Sequence, residues 1–349
     1  MKRLLKVFLT GMLLLSSMAY GQSSDTIRVG NQRAMIAERF YNEGIELYEN
    51  KKYAEALEQF NKATAERPDF YQAFYNRGVV RASMGNHNSA IEDFNRTLRG
   101  MPDLSMAYLA RGLSREAIGL TNEALNDYTM AATRNPNLYL AHYYRGVLNF
   151  NQGLYVLAIE DFTNAINIRP DFAYAYNDRG SAYRMAGNHQ AALADYQQAI
   201  FLDNTMFFAF NNLGSHRMEM EQYNEAIEMF TTAYRTSSGY YKALINRAIA
   251  YKKAGRLEDA MNDISRVIDQ EPTNYAAFTV RGNIYYRMND YEASVNDHTR
   301  AIEINASFGS AFLNRGIARE MLRDPEGAEK DWKQADQLGI TGAAEFFDE

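Results

Sequence analysis

The stretch that decides the fold is Tyr139–Phe172, which reads YLAHYYRGVLNFNQGLYVLAIEDFTNAINIRPDF. Its pattern predicts two helices of about 14 residues each, joined by a short turn. Gly146 in the first helix and Ala158 in the second are small, so the two helices can approach closely, and Phe162 fills the space beside them. Because proline cannot continue a helix, Pro170 indicates where the unit ends.

The same unit recurs along the chain at a constant spacing of 34 residues. The small residue of the first helix recurs as Gly44, Gly78, Gly112, Gly146, Gly180, Gly214, Ala248, Gly282 and Gly316. The small residue of the second helix recurs as Ala56, Ala90, Ala124, Ala158, Ala192, Ala226, Ala260, Ser294 and Ala328. The large residue four positions later recurs as Phe60, Phe94, Tyr128, Phe162, Tyr196, Phe230, Ile264, His298 and Trp332. Copies in one register are predicted to stack on their neighbours around a continuous core.

A further alanine column and a closing proline complete the pattern, which resembles the tetratricopeptide repeat family. The resemblance implies an all-α fold, a right-handed superhelical solenoid of about nine 34-residue helix-turn-helix repeats. The solenoid is expected over residues 37–338, followed by a short C-terminal capping helix within 339–349. The repeats are expected at 37–70, 71–104, 105–138, 139–172, 173–206, 207–240, 241–274, 275–308 and 309–338.

The N-terminal residues have the pattern of a secretory signal peptide. Three cationic residues precede an apolar run at 7–18, and small residues follow at Ala19 and Gly21. The run is shorter than the roughly 20 residues that a membrane-spanning helix needs. We therefore expect a signal peptide over 1–21 and a flexible leader over 22–36. The mature chain is expected to be exported, and to be periplasmic, associated with the cell envelope or secreted.

The composition bears on the partners. The chain has no cysteine and a formal net charge of −6, and removal of the three cationic residues of the signal peptide gives −6 − 3 = −9. No basic block or stripe is present, which argues against nucleic acid and anionic lipid as partners. We expect a protein or peptide partner, and contact with a membrane only indirectly, through partners.

A charged pair accompanies most of the repeats. An arginine precedes the glycine position as Arg77, Arg111, Arg145, Arg179, Arg247, Arg281 and Arg315. Sixteen residues later stand Asp93, Asp127, Asp161, Asp195, Asp263, Asp297 and Asp331. The repeats without the arginine, which have Glu43 and Leu213, also lack the aspartate. Each arginine is therefore predicted to pair within its own repeat and to fix the register of the two helices.

The resemblance also implies a concave groove lined by the first helices. The second, fifth, sixth, ninth, twelfth and thirteenth positions of each repeat are assigned to face away from the core. The candidate partner-binding residues are Tyr41, Tyr75, Asn76, Leu140, Tyr143, Tyr144, Val147, Phe150, Tyr174, Phe208, Asn212 and Asn246. The alternative is that some of these aromatic residues, Tyr174 and Phe208 especially, pack against the adjacent repeat.

No constellation of catalytic residues is recognised in the sequence. The histidines are His87, His142, His189, His216 and His298, and no two have metal-ligand spacing on one predicted helix face. We therefore expect neither catalysis, nor a metal, nor a cofactor. The function expected is that of an exported, non-enzymatic protein–protein interaction scaffold, used in cell-envelope assembly. The rival hypotheses are a carbohydrate or cell-wall binding module that uses the aromatic groove, and an enzyme whose site has no recognisable motif.

Overall fold

The computed structural model describes residues 29–346, so the predicted signal peptide and residues 22–28 of the leader lie outside the described residues. Between residues 29 and 346 the secondary structure is helical, without strands. The helices, numbered in chain order, are α1 Val29–Glu49, α2 Tyr53–Glu66, α3 Tyr71–Ser83, α4 His87–Gly100, α5 Ser105–Ala117, α6 Thr121–Arg134, α7 Tyr139–Asn151, α8 Tyr155–Ile168, α9 Ala173–Met185, α10 His189–Leu202, α11 Phe207–Glu219, α12 Tyr223–Thr236, α13 Tyr241–Lys253, α14 Leu257–Gln270, α15 Tyr275–Arg287, α16 Tyr291–Ile304, α17 Gly309–Met321 and α18 Pro325–Gln337. None of the described helices is both long enough and apolar enough to cross a lipid bilayer.

The chain divides into two compact units, one up to Ala182 and the other from Tyr183. Within each unit consecutive helices pack on one another, two helices to a repeat. In the first unit a single hydrophobic core runs from Ala37 to Ala182. The core of the second unit is contributed by buried side chains of successive repeats. Each unit is thus an all-α helical repeat solenoid, as the 34-residue period predicts.

The glycine and aromatic columns meet as the sequence predicts. A β-carbon added to Gly112 would lie 2.6 Å from the ring of Tyr128, and one added to Gly146 would lie 2.9 Å from the ring of Phe162. Real β-carbons essentially never approach so closely, so the glycine is what lets the two helices of a repeat pack over a large buried ring.

Six of the predicted arginine–aspartate pairs lie within one unit or the other, and all six are confirmed. The N···O distances are 2.7 Å for Arg77–Asp93, 2.6 Å for Arg111–Asp127, 2.6 Å for Arg145–Asp161, 2.6 Å for Arg247–Asp263, 2.7 Å for Arg281–Asp297 and 2.7 Å for Arg315–Asp331. The seventh pair, Arg179 and Asp195, falls on opposite sides of the division between the units. The paired aspartates are buried, so each pair ties the two helices of its repeat together.

The arginines also reach the preceding repeat, which the sequence analysis did not anticipate. Arg111 Nη1 donates to Asn95 Oδ1 at 2.7 Å, and Arg247 Nη1 donates to Thr231 Oγ1 at 2.9 Å. The acceptor is a neutral amide or hydroxyl group 16 residues before the arginine. One guanidinium therefore fixes both the register within its repeat and the position of the repeat before it.

Both ends of the described chain differ from expectation. Helix α1 begins at Val29, so the expectation of a flexible leader is wrong for residues 29–36. Adding residues to an existing helix costs little once the helix is nucleated, and no proline interrupts this segment. At the other end a 3-10 helix of four residues, Ala343–Phe346, replaces the expected longer one, and the ring of Phe346 lies 5.0 Å from that of Trp332. The predicted C-terminal capping helix is thus present, and it packs on the last repeat, but it is shorter than expected.

Candidate peptide-binding surface

The fifth-position tyrosines do not face outward, and the assignment of Tyr41, Tyr75 and Tyr143 to the groove surface is wrong. All three are at most 1% exposed. Their rings lie 5.8–5.9 Å from the large second-helix residue of the same repeat, which is a phenylalanine in each case. The fifth position is one turn before the glycine position, so it lies on the helix face that meets the second helix.

Three further candidates, Asn76, Tyr144 and Val147, are also buried, which corrects their assignment to the surface. They occupy the sixth and ninth positions of their repeats. The ring of Tyr144 stacks on that of Tyr128 in the preceding repeat at 5.7 Å, and Asn76 is hydrogen-bonded to Tyr41. Adjacent repeats therefore close over these positions in the first unit.

The remaining candidates are partly exposed. In the first unit they are Leu140, Phe150 and Tyr174, and in the second unit they are Phe208, Asn212 and Asn246. Each aromatic candidate also has a ring neighbour: Phe150 lies 5.6 Å from Tyr155, Tyr174 lies 6.0 Å from Phe172 and Phe208 lies 5.6 Å from Phe207. Asn246 Nδ2 donates to Asn211 Oδ1 at 2.9 Å. These side chains thus combine packing within their unit with a face that solvent reaches.

The buried tyrosines hold two carboxylates that the sequence analysis missed. Tyr143 donates its hydroxyl hydrogen to Asp178 Oδ2 at 2.8 Å, and Asn177 Nδ2 donates to Asp178 Oδ1 at 2.8 Å. In the third repeat Tyr128 donates to Glu116 Oε2 at 2.7 Å. Burial is the main cause that raises the pKa of both carboxyl groups, Asp178 and Glu116.

Both carboxylates belong to first helices and are partly exposed. Glu116 occupies a twelfth position, and Asp178 occupies a sixth position, where Asn76 and Tyr144 are buried but Asp178 keeps a partly exposed side chain. The sequence did contain a signal for Asp178. Asparagine is the commonest residue at the sixth position of the repeats, and Asp178 departs from it by carrying a charge. We call the group Glu116, Leu140, Phe150, Tyr174 and Asp178 the first-unit patch.

The structure brings two of the histidines together. His142 Nε2 lies 3.0 Å from the carbonyl oxygen of Pro136, and His298 is buried in the core, as its column predicts. His189 and His216, however, are brought together with Glu219, and one potential ligand atom of each lies within 4.8 Å of the others. The two histidines lie on separate helices, as expected from the sequence, so their spacing on any one helix face did not reveal this cluster.

Comparison with known proteins agrees with the repeat architecture. Three tetratricopeptide repeat family models match the chain: the first matches residues 41–105, 109–170 and 158–206, the second matches 217–279 and the third matches 275–308. No curated protein matches the chain significantly.

Solved structures resemble the chain in fold at low sequence identity. The Cut9–Hcn1 hetero-tetramer of the APC/C matches with a TM-score of 0.58 and 15% identity, over 83% of this chain and 57% of that one. The C-terminal part of a repeat protein from Cytophaga hutchinsonii matches with a TM-score of 0.55 and 18% identity, over 69% of this chain and 98% of that one. Pseudomonas aeruginosa pilF matches with a TM-score of 0.51 and 14% identity, over 60% of this chain and 95% of that one. The fold, the 34-residue period and the matches of the family models together place the chain in the tetratricopeptide repeat family.

Proposed function

We propose that the protein is an exported scaffold that binds a protein or peptide partner on the first helices of its repeats and serves in cell-envelope assembly. The observation that carries the proposal is the first-unit patch, in which partly exposed apolar side chains accompany two oriented carboxylates. Such a surface suits a partner segment that has apolar side chains and a lysine or arginine.

The hydrogen bonds beneath the patch support this role. The hydroxyl groups of Tyr143 and Tyr128 hold Asp178 and Glu116 in defined positions before any partner arrives. A preorganised surface loses less conformational freedom on binding, so more of the contact energy appears as affinity. Both tyrosines are themselves held by aromatic neighbours in the core. The surface therefore rests on a rigid support.

The rival hypothesis of a carbohydrate module is disfavoured by the burial of Tyr143 and Tyr144. Stacking on a sugar requires an accessible ring face, and these two rings are at most 3% exposed. Only Phe150 and Tyr174 of the original aromatic set in the first unit keep a partly exposed ring. A glycan array probed with the mature protein should therefore give no binding that depends on these two residues.

Export is tested by the N-terminus of the processed protein. Ala19 and Gly21 follow the short apolar run, so we expect cleavage between Gly21 and Gln22. Intact-mass measurement of protein recovered from the envelope fraction checks the position. A recovered chain that still begins at Met1 would contradict this part of the proposal.

Partner binding is tested with a matched pair of phenylalanine variants. Partners are first identified by crosslinking in the native envelope and mass spectrometry, and affinities are then measured with the purified partner. An aromatic anchor typically contributes about 2 kcal/mol to an interface, so Phe150→Ala should weaken binding about thirtyfold. The control Phe201→Ala removes a ring that is 82% exposed on a second helix and should leave the affinity unchanged.

The carboxylates are tested separately. Asp178→Asn and Glu116→Gln keep the shape of the patch but remove its charge, and they should weaken binding more at low than at high ionic strength. Tyr143→Ala is unsuitable as a binding variant, because loss of a buried aromatic side chain destabilises by about 3–5 kcal/mol. Normal affinity in a folded Phe150→Ala variant would place the partner elsewhere on the protein.

A further inference from the structure

We propose that His189, His216 and Glu219 bind a divalent transition-metal ion of the zinc class. His189 is the first residue of α10, and His216 and Glu219 are three residues apart near the end of α11, so they share a helix face. All three belong to the second unit. The two imidazole rings stack with their centroids 5.4 Å apart and their planes inclined by 28°.

The buried histidine of this cluster has a ring nitrogen without a hydrogen-bond partner in the described part of the chain, which suggests that the nitrogen binds a ligand. His216 is 2% exposed, and its Nδ1 has no hydrogen-bond partner among the described residues. A buried polar atom without a partner is unfavourable, and a metal–nitrogen bond would offset that cost.

The donor set decides the class of ion. Two imidazole nitrogens and one carboxylate oxygen suit zinc and neighbouring transition metals, whereas magnesium and calcium prefer oxygen ligands alone. Zinc–nitrogen bonds are about 2.0–2.1 Å long, and ligand atoms that all lie within 4.8 Å of one another can reach one ion by small side-chain rotations. His189 and Glu219 are exposed and can rotate, while His216 supplies the fixed point. Three protein ligands leave a fourth position for water or for a group from another molecule.

Two arginines, Arg184 and Arg217, lie near the cluster, and Arg184 Nη1 donates to Glu219 Oε1 at 3.1 Å. A carboxylate has two oxygen atoms, so the second can bind the ion while the first keeps its hydrogen bond to the arginine. Such a contact orients a metal-binding carboxylate. The positive charge of the guanidinium opposes the cation, and it favours a moderate affinity over a very tight one.

The repeat pattern provides a matched control for the test. His87 stands 102 residues, or three repeats of 34, before His189, at the start of α4. The residues that correspond to His216 and Glu219 in that part of the chain are Ser114 and Ala117, neither of which is a metal ligand. A histidine at the same position of the repeat is therefore present without the other two groups.

The experiment is calorimetric titration of the metal-free, untagged mature protein with ZnCl2, together with Co2+ absorption spectra that report coordination geometry. We expect one equivalent to bind, and His189→Ala and Glu219→Gln each to weaken binding by about a hundredfold or more. Both residues are exposed, so the variants should keep the helical circular dichroism of the parent protein. His87→Ala should bind zinc as the parent does.

The proposal is overturned by three results. The first is a parent protein that binds no zinc at micromolar concentrations. The second is zinc binding that His189→Ala and Glu219→Gln leave unchanged. The third is an equal loss of zinc binding in His87→Ala, which would mean adventitious binding shared among histidines. None of these results depends on whether the first-unit patch binds a partner.

Discussion

Replacement of Asp127 by alanine should destabilise the third repeat by about 3–5 kcal/mol, the usual cost of removing one partner from a buried ion pair. Asp127 is 0% exposed and accepts hydrogen bonds from two arginines. Arg111 donates from Nη2 to Oδ1 at 2.6 Å and from Nε to Oδ2 at 3.0 Å, and Arg115 Nη1 donates to Oδ2 at 2.7 Å. The variant leaves two half-buried guanidinium groups without their carboxylate.

The measurement is native-state hydrogen exchange of the amides in α5 and α6, because stability in repeat arrays is partly local. Asp103→Ala provides the control, since Asp103 is 81% exposed and forms a surface pair with Arg134 at 3.2 Å. That change should cost at most about 1 kcal/mol. Equal losses of stability in the two variants would mean that burial of the pair contributes nothing.

The double variant Arg111→Leu, Asp127→Met carries the residues that repeat six has at these positions. It should lose less stability than the sum of the losses in the two single variants.

The stability of the eighth repeat should fall at acid pH because of His298. This residue occupies the position that is a large core side chain in the other repeats. It is 1% exposed, and neither ring nitrogen has a hydrogen-bond partner among the described residues. Burial, followed by the charges of Arg315 and Lys252, lowers the pKa of His298 to about 3. In the unfolded chain the imidazole titrates near its ordinary value of about 6.5.

The sign of the effect follows from these two values. Below about pH 6.5 the unfolded state binds a proton that the folded state does not, so stability falls as the pH falls towards 3. At about 1.4 kcal/mol for each pH unit, the eighth repeat should lose about 2 kcal/mol between pH 7 and pH 5. His298→Phe should remove this loss and raise the stability at pH 7, because phenylalanine has no nitrogen to leave unpaired.

The measurement is hydrogen exchange in α15 and α16 at pH 5 and pH 7, corrected for the intrinsic exchange rates. The reverse change, Phe162→His, should introduce the same acid sensitivity into the fourth repeat, because Phe162 fills the same position and is also fully buried. An unchanged pH dependence in His298→Phe would show that the ring is protonated or solvated in the folded protein.

The sequence was sufficient to predict the packing of the two helices within each repeat. Gly146 and Phe162 recur in the same columns, and agreement among many copies removes the ambiguity of any one of them. The arginine–aspartate pairs were predictable for a related reason, because Leu213 and Met229 replace both partners together. Contacts within a repeat have a fixed sequence separation, so the period reveals them.

Contacts between repeats were harder to predict. The burial of Tyr144 against Tyr128 of the preceding repeat depends on how closely neighbouring repeats approach, which the period does not specify. His189 and His216 lie 27 residues apart in neighbouring helices, so they form none of the short spacings by which a zinc motif is recognised in a sequence. The carboxylate of Asp178 was missed because its orientation depends on the hydroxyl group of a tyrosine that was itself assigned to the surface.

The pairing of arginine and aspartate within a repeat has a consequence for how such a chain can grow by gene duplication. A copied block of 34 residues that starts anywhere between one aspartate and the next arginine carries both charges with it. Insertion or deletion of the block then breaks no ion pair, because the hydrogen bonds that Arg111, Arg247 and Arg315 form across the junction are to neutral side chains. A pair shared between neighbours would instead be broken at every new junction. A repeat that contains the pair can therefore be duplicated or deleted as a whole without leaving a buried charge unpaired.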